Sequence, residues 1–339
     1  MAASGTGLLR ILSLLVFAFT YSPKDVLAQA VNLDAAKKEG KVVVYGTVVP
    51  QVMDVINKGF EKRYGIRVEY WRASSTQVLD RTLNEWRAGR PGFDVAEAAR
   101  VVQVFMRKEG LFTKYFAPSA EKFPEQFKEK DGLITAWRAL PIGILYNTEL
   151  VRASELAKTF DMLLDSKWKK KISMPDPTQH ATTTQFLWNL EKIKGDKWID
   201  FVKALAKQEP HLVESLAPVA NAIIRGEAYL GITYIKYVQQ YKGPISYVAM
   251  DKYLTEPSYL SLSGKANNPN AGKLYIDYAC SEEGQRTVAD DGEFVFYPGI
   301  FPRIRDAEKV APNMIFMDNL TTEEFEKMRS EFRKIFFAK

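Results

Sequence analysis

Residues 231–243 read GITYIKYVQQYKG, which places the phenols of Tyr234, Tyr237 and Tyr241 beside the ammonium groups of Lys236 and Lys242. Phenolates grip a hard ferric ion, whereas phenols next to ammonium groups suit an oxyanion. Hydroxyls recur where helices should begin. Thr47 follows VVVYG, Ser74-Ser75-Thr76 follow EYWRA, and Thr178, Thr182 and Thr183 sit in PDPTQHATTT. Such a hydroxyl either caps its own helix or holds carboxylate or phosphate oxygens beside the free N–H groups there. Arg72, Arg100, Arg138 and Lys236 could set the charge of such a site; arginine grips an oxyanion with two donors, and lysine acts as a point charge. His180 lies in the PDPTQHATTT loop, where it could touch a ligand or cap a helix, and its titration would make binding pH-sensitive.

Other chemistries find little support. His180 and His211 are far apart, and Cys280 is the single cysteine, set in the apolar helical pattern LYIDYACSEEG, so a zinc tetrad has nothing to build on. No GxSxG, HExxH, P-loop or GxGxxG motif occurs. The Ser-x-x-Lys spacings at Ser119–Lys122 and Ser166–Lys169 stand without supporting motifs. The expectation is no catalytic residue, no cofactor and no metal.

The chain is 46% hydrophobic and 26% charged without low-complexity tracts, which places it among globular proteins. Its net charge of +6 arises from 47 basic and 41 acidic residues spread along the chain. The densest basic run, KWKKK at 167–171, reads as a solvated turn before a strand, and charge this diffuse makes no nucleic-acid footprint, so nucleic acid is not an expected partner. Residues 1–30 stand apart. The apolar run GLLRILSLLVFAF, behind a weakly basic start, leads to Ala28-Gln29-Ala30, the small-x-small form of an export cleavage site. The run is shorter than the roughly 20 residues of a membrane span. Export with cleavage near Ala30 is expected, leaving a soluble mature chain that relies on its core because one cysteine forms no internal disulfide.

Hydrophobic periodicity gives strands at 41–46, 66–74 and 93–99 alternating with helices at 49–65, 75–89 and 101–110, the pattern of a parallel sheet covered on both faces. An extended stretch, 134–150, carries Pro141. A second α/β group follows: a strand at 171–176, helices at 183–195, 197–208 and up to 227, and strands at 228–234 and 244–250. Helical patterns at 269–292 and 321–336 close the chain. Two crossings join the groups, so one lobe is expected to comprise 31–140 plus 249–339, the other 141–248. A cleft between lobes is the default ligand site, and crossings near 139–143 and 246–250 permit hinge closure.

The motifs VVYGTVVPQVMDVINKGFEKRYGIRVEY, SSTQVLDRTLNEWRAGRPGFDV, GILYNTEL, ISMPDPTQHATTTQ, IRGEAYLGITY and KANNPNAGKLYIDYACSEEGQRTVADDG cover most of the mature chain. In them the sequence resembles the periplasmic substrate-binding proteins of bacterial ABC importers, in the branch of ferric-iron binders and their organic-anion relatives. The resemblance implies a type II, two-lobed α/β fold that closes on its ligand without catalysis, a monomer, a periplasmic location and a membrane permease as partner. The ferric relatives use a histidine after the first strand, a glutamate after the third and a tandem tyrosine pair. Here the first position falls at Val49 or a neighbour. The second falls at Ala98 or Ala99, with Glu97 close by. Ile235 and Lys236 separate Tyr234 from Tyr237. The expected ligand is therefore a small anion (a carboxylate, phosphonate or phosphate ester), with ferric iron and a synergistic anion as the alternative. Thr47, Arg72, Ser74, Ser75, Thr76, Thr178, His180, Thr182, Thr183, Tyr234, Lys236 and Tyr237 are the expected contacts. Tyr45, Trp71 and Tyr259 are further aromatics that could line the cleft, Arg100 and Arg138 further cations.

Overall fold

A computed structural model describes residues 1–2 and 31–338; the expected export segment's apolar run and cleavage site lie outside the described residues. Eleven strands form one continuous sheet: β1 Lys41–Gly46, β2 Arg67–Arg72, β3 Val95–Ala99, β4 Thr135–Asn147, β5 Ile172–Pro175, β6 His211–Val213, β7 Leu230–Tyr234, β8 Ile245–Tyr247, β9 Tyr253–Leu262, β10 Phe294–Val295 and β11 Met314–Phe316. The main order is β2-β1-β3-β9-β4-β7-β5-β6, with β8 and β10 paired to β4 and β11 to β9.

The expected parallel arrangement holds for β2-β1-β3 and again for β7-β5-β6. Between these groups β9 and β4 run antiparallel to each other and to β3 and β7, so the sheet is mixed and unbroken rather than split into one sheet per lobe. The reason is the length of β4. Thirteen extended residues span about 43 Å at roughly 3.3 Å per residue, enough to serve both groups. Its first half pairs with β9, from Thr135 opposite Leu260 to Ile142 opposite Leu254. Its second half pairs with β7, from Ile142 opposite Tyr234 to Tyr146 opposite Leu230. Pro141 stands where the partner changes. The return strand β9 was not expected, because Glu256 and Pro257 interrupt its apolar pattern.

Local signals place the helices well. Pro50 opens the helix Pro50–Tyr64, and Gly65, at φ 70°, ends it in the left-handed conformation that glycine adopts without strain. The helix Thr322–Phe337 starts with a capping box between Thr321 and Glu324. It packs on the helices Ala181–Asn189 and Trp198–Lys207, with Phe332 edge-on to Trp198, and Arg329 donates to the Thr178 carbonyl at 3.0 Å. The C-terminal helix thus rests on the second α/β group, although the sequence grouped it with the first. Among the described residues no helix is long and apolar enough to cross a membrane.

Candidate functional site

The carboxyl ends of β1 and β3 lie side by side, with Gly46 opposite Glu97. A helix starts just beyond each: Pro50–Tyr64, with Val49 at its N-cap, and Arg100–Lys108, with Ala99 there. Neither start has a side-chain cap. Apolar residues at both caps leave the first-turn N–H groups without a side-chain acceptor. In open α/β sheets this crevice beyond the strand ends is where ligands sit.

Beneath these starts lies a buried polar floor. Arg138 donates to Glu293 Oε2 at 2.9 Å and to Glu97 Oε1 at 3.1 Å. Lys236 Nζ donates to Glu293 Oε1 at 2.6 Å, and Gln240 Nε2 donates to the same oxygen at 3.1 Å. Glu97 Oε2 accepts from the Thr47 N–H at 2.9 Å and the Thr47 hydroxyl at 3.1 Å, and Ser258 donates to Glu97 Oε1. Nearby, Glu256 Oε2 accepts from Tyr234 at 2.9 Å and from Thr182 at 3.2 Å. Glu97, Arg138, Lys236, Glu256 and Glu293 are all buried. Both α/β groups contribute, so the floor lies on the seam between them.

Two of the three buried carboxylates, Glu97 and Glu293, are matched by Arg138 and Lys236. Burial pushes the Glu293 carboxyl up, but Lys236 and Arg138 more than reverse this and hold it at about 2. Burial pulls Lys236 below the usual ammonium range; Glu293 opposes that shift, while the like charge of Arg138 adds to it. Burial, then Glu256, pushes Tyr234 well above the usual phenol range. Burial, then Tyr241, raises Tyr237. Burial raises Glu256, against the two hydroxyls that donate to it.

The structure brings Thr47, Thr182, Tyr234 and Lys236 into this floor. Tyr237 stands beside it, its ring 6.0 Å from that of Tyr234 and 5.5 Å from the Lys236 ammonium. Other expected contacts are occupied locally. The Ser74 hydroxyl accepts from the Gln77 N–H at 3.3 Å within a capping box, and Ser75 and Thr76 are the first residues of the helix Ser75–Arg87. Thr178 donates to Asp176 at 2.7 Å. His180 caps the helix Ala181–Asn189: its Nδ1 accepts from the Thr183 N–H at 3.3 Å and lies 2.9 Å from the Thr183 hydroxyl. Burial lowers His180 to about 4. Arg72 is exposed on the edge strand β2, opposite Gly46, in a depression with Gln77, Asp80 and Arg81. Arg100 pairs with Glu129 at 3.0 Å. Tyr45 donates to Glu85, and its ring packs on Trp71; Tyr259 packs by Arg100.

Sequence reasoning missed Glu256, Glu293, Ser258 and Gln240. For Glu256 the available signal was a lone acidic residue inside an apolar strand pattern, YLTEPSYL. Such a residue, if buried, must be paired or hydrogen-bonded. Glu293, behind Asp290 and Asp291, carried no such signal.

Residues 90–320 match the bacterial extracellular solute-binding proteins. The chain belongs to that family. Solved structures of binding proteins share its type II, two-lobed fold. The substrate-binding protein of an ABC transporter from Agrobacterium tumefaciens aligns with a TM-score of 0.77 at 15% identity, over 87% of this chain and 94% of that one. The periplasmic binding protein AfuA from Actinobacillus pleuropneumoniae, solved with exogenous fructose-6-phosphate bound, aligns at 0.68 and 23% identity over 88% and 96%. Iron-bound HitA from Pseudomonas aeruginosa aligns at 0.69 and 15% identity over 87% and 99%. The neighbours of this solute-binding protein thus include carriers of a sugar phosphate and of iron.

Proposed function

We propose that this solute-binding protein captures a small organic anion in the crevice above the floor and delivers it, as a monomer and without catalysis, to the permease of an ABC importer in the bacterial envelope. The observation that carries this reading is the pair of adjacent, uncapped helix starts at Val49 and Ala99. Their positive dipole ends, with first-turn N–H groups that meet no side-chain cap, favour an anion without requiring a free cation. The Arg138 and Lys236 charges are committed to Glu97 and Glu293. They support the floor and are not the main grip, a revision of the role expected for Lys236.

The phenols weigh against ferric iron. Tyr234 donates its proton to Glu256, and burial disfavours either phenolate. Val49, Ala98 and Ala99 offer no ligand atoms on their side chains. The lobes in this reading comprise 31–140 with most of 249–320, and 141–248 with the C-terminal helix added. The crossings at 139–143 and 246–250 act as the hinge, and ligand contacts made only in the closed form drive closure.

Isothermal titration calorimetry of the mature protein with small carboxylates, phosphonates and phosphate esters tests the reading. One-to-one binding without turnover is the expected result. Binding of ferric iron, with no response to any of these anions, would overturn it.

A further inference from the structure

The floor contains three buried carboxylates and two buried cations. Glu97 faces Arg138, and Glu293 faces Arg138 and Lys236. Glu256 is 3% exposed and forms no ion pair among the described residues. Its two hydrogen bonds, from Thr182 and Tyr234, both end on Oε2. Oε1 accepts from no described residue. Oε1 is therefore the oxygen left for a donor that the described residues do not supply.

A carboxylate buried without a counter-charge is costly, and its environment favours whatever brings a donor. The two hydroxyls fix the plane of the group and leave one oxygen free. The N-terminal turn of helix Ala181–Asn189, which carries Thr182, and the end of β7, which carries Tyr234, hold it from the second α/β group. Glu256 itself belongs to the return strand β9, opposite Leu140. Every neighbour that holds it is a donor already spent on Oε2. Burial pushes this carboxyl up, as expected of a group that lacks its positive partner.

We propose that Glu256 Oε1 receives a hydrogen-bond donor of the ligand, an ammonium or a hydroxyl, so that the cargo is an anion bearing a donor rather than a plain oxyanion. The inference rests on the anion reading above: the helix starts take the negative end and Glu256 takes the donor. Glu256 is then a specificity-determining residue. A simple anion without a donor, such as acetate, would leave Oε1 unanswered, and desolvating an unpaired acceptor selects against it.

The test is calorimetry with matched pairs that differ by one donor: 2-aminoethylphosphonate against ethylphosphonate for ammonium, and lactate or glycerate against propionate for hydroxyl. The donor-bearing member should bind about 10- to 100-fold more tightly, as expected for a hydrogen bond to a charged group. Glu256→Gln should abolish that preference, because the amide oxygen still accepts from Tyr234 and Thr182 while its NH2 group now faces the ligand's donor. Glu256→Asp, which keeps the charge but withdraws it by one methylene, provides a second reading if the glutamine variant does not fold. Equal affinity for both members of every pair, or a preference that survives the substitutions, would overturn the proposal and leave the anion reading intact. Failure of every member of every pair to bind would overturn the anion reading and this inference with it.

Discussion

Arg138 is the group on which the floor depends most, and its removal should be severe. The guanidinium touches two fully buried carboxylates, Glu97 and Glu293, at 3.1 and 2.9 Å. Arg138→Met preserves much of the side chain's bulk and deletes the charge. Removing one partner of a buried pair costs about 3–5 kcal/mol, because the stranded charge is left without compensation. Here Glu293 retains Lys236 and Gln240, and Glu97 retains Thr47 and Ser258. The lower end, about 3 kcal/mol, is therefore expected, still a large share of the ~5–15 kcal/mol that holds a domain folded. Glu97→Gln in the same chain removes the unmatched negative charge and restores one carboxylate to one cation, Glu293 to Lys236. The double variant should recover about 1–3 kcal/mol relative to the sum of the single variants. Urea unfolding followed by tryptophan fluorescence reads this directly, since the fully buried Trp137 adjoins Arg138. A loss below about 1 kcal/mol for Arg138→Met, or strict additivity with Glu97→Gln, would refute the claim that the floor is a matched ionic unit.

Tyr234→Phe takes away one of the two donors to Glu256 and should cost about 1–3 kcal/mol in the same unfolding assay. Glu293 has a folded pKa of about 2 against an ordinary 4.5, so its contribution is fully present above pH 4.5 and is lost as pH falls toward 2. That contribution is on the order of a few kcal/mol, and Glu293→Gln should flatten the stability profile in that window. His180 has a folded pKa of about 4 against 6.5, so the unfolded chain binds the proton first and stability falls as pH drops from 6.5 to 4. His180→Asn, which keeps a capping acceptor, should remove that slope. Gly143→Ala would set a methyl 2.8 Å from Ile235 Cγ2 and 3.3 Å from Tyr253 Cε1 where β4 crosses between the groups, and overpacking there should lower stability by about 1–3 kcal/mol.

Much of the fold was legible because its signals are local. The β-branched run of β1, Pro50 and Gly65 around the first long helix, and Thr321 with Glu324 at the last one each specify their element without distant help. What the sequence hid was pairing. β9 reads poorly as a strand because Glu256 and Pro257 interrupt it, yet tertiary pairing with both β3 and β4 overrides that local weakness. The single continuous sheet follows from this strand and was equally hidden. The site was half legible. Tyr234, Lys236, Thr47 and Thr182, singled out in the sequence as ligand contacts, meet the buried carboxylates of the floor. Ser74 and His180 show the limit of reading hydroxyls and imidazoles at helix starts, because the capping and binding roles use the same residue types at the same position. The carboxylates that neutralise Lys236 and Arg138 come from segments 41 to 155 positions away from Arg138 and 57 from Lys236, and nothing local marks such partners.

Native mass spectrometry of the mature protein purified from a bacterial periplasm, paired with its visible absorption spectrum, tests the central claim most directly. A colourless protein that carries one small organic anion is the predicted result. A bound-iron mass with a phenolate-to-iron charge-transfer band would contradict it.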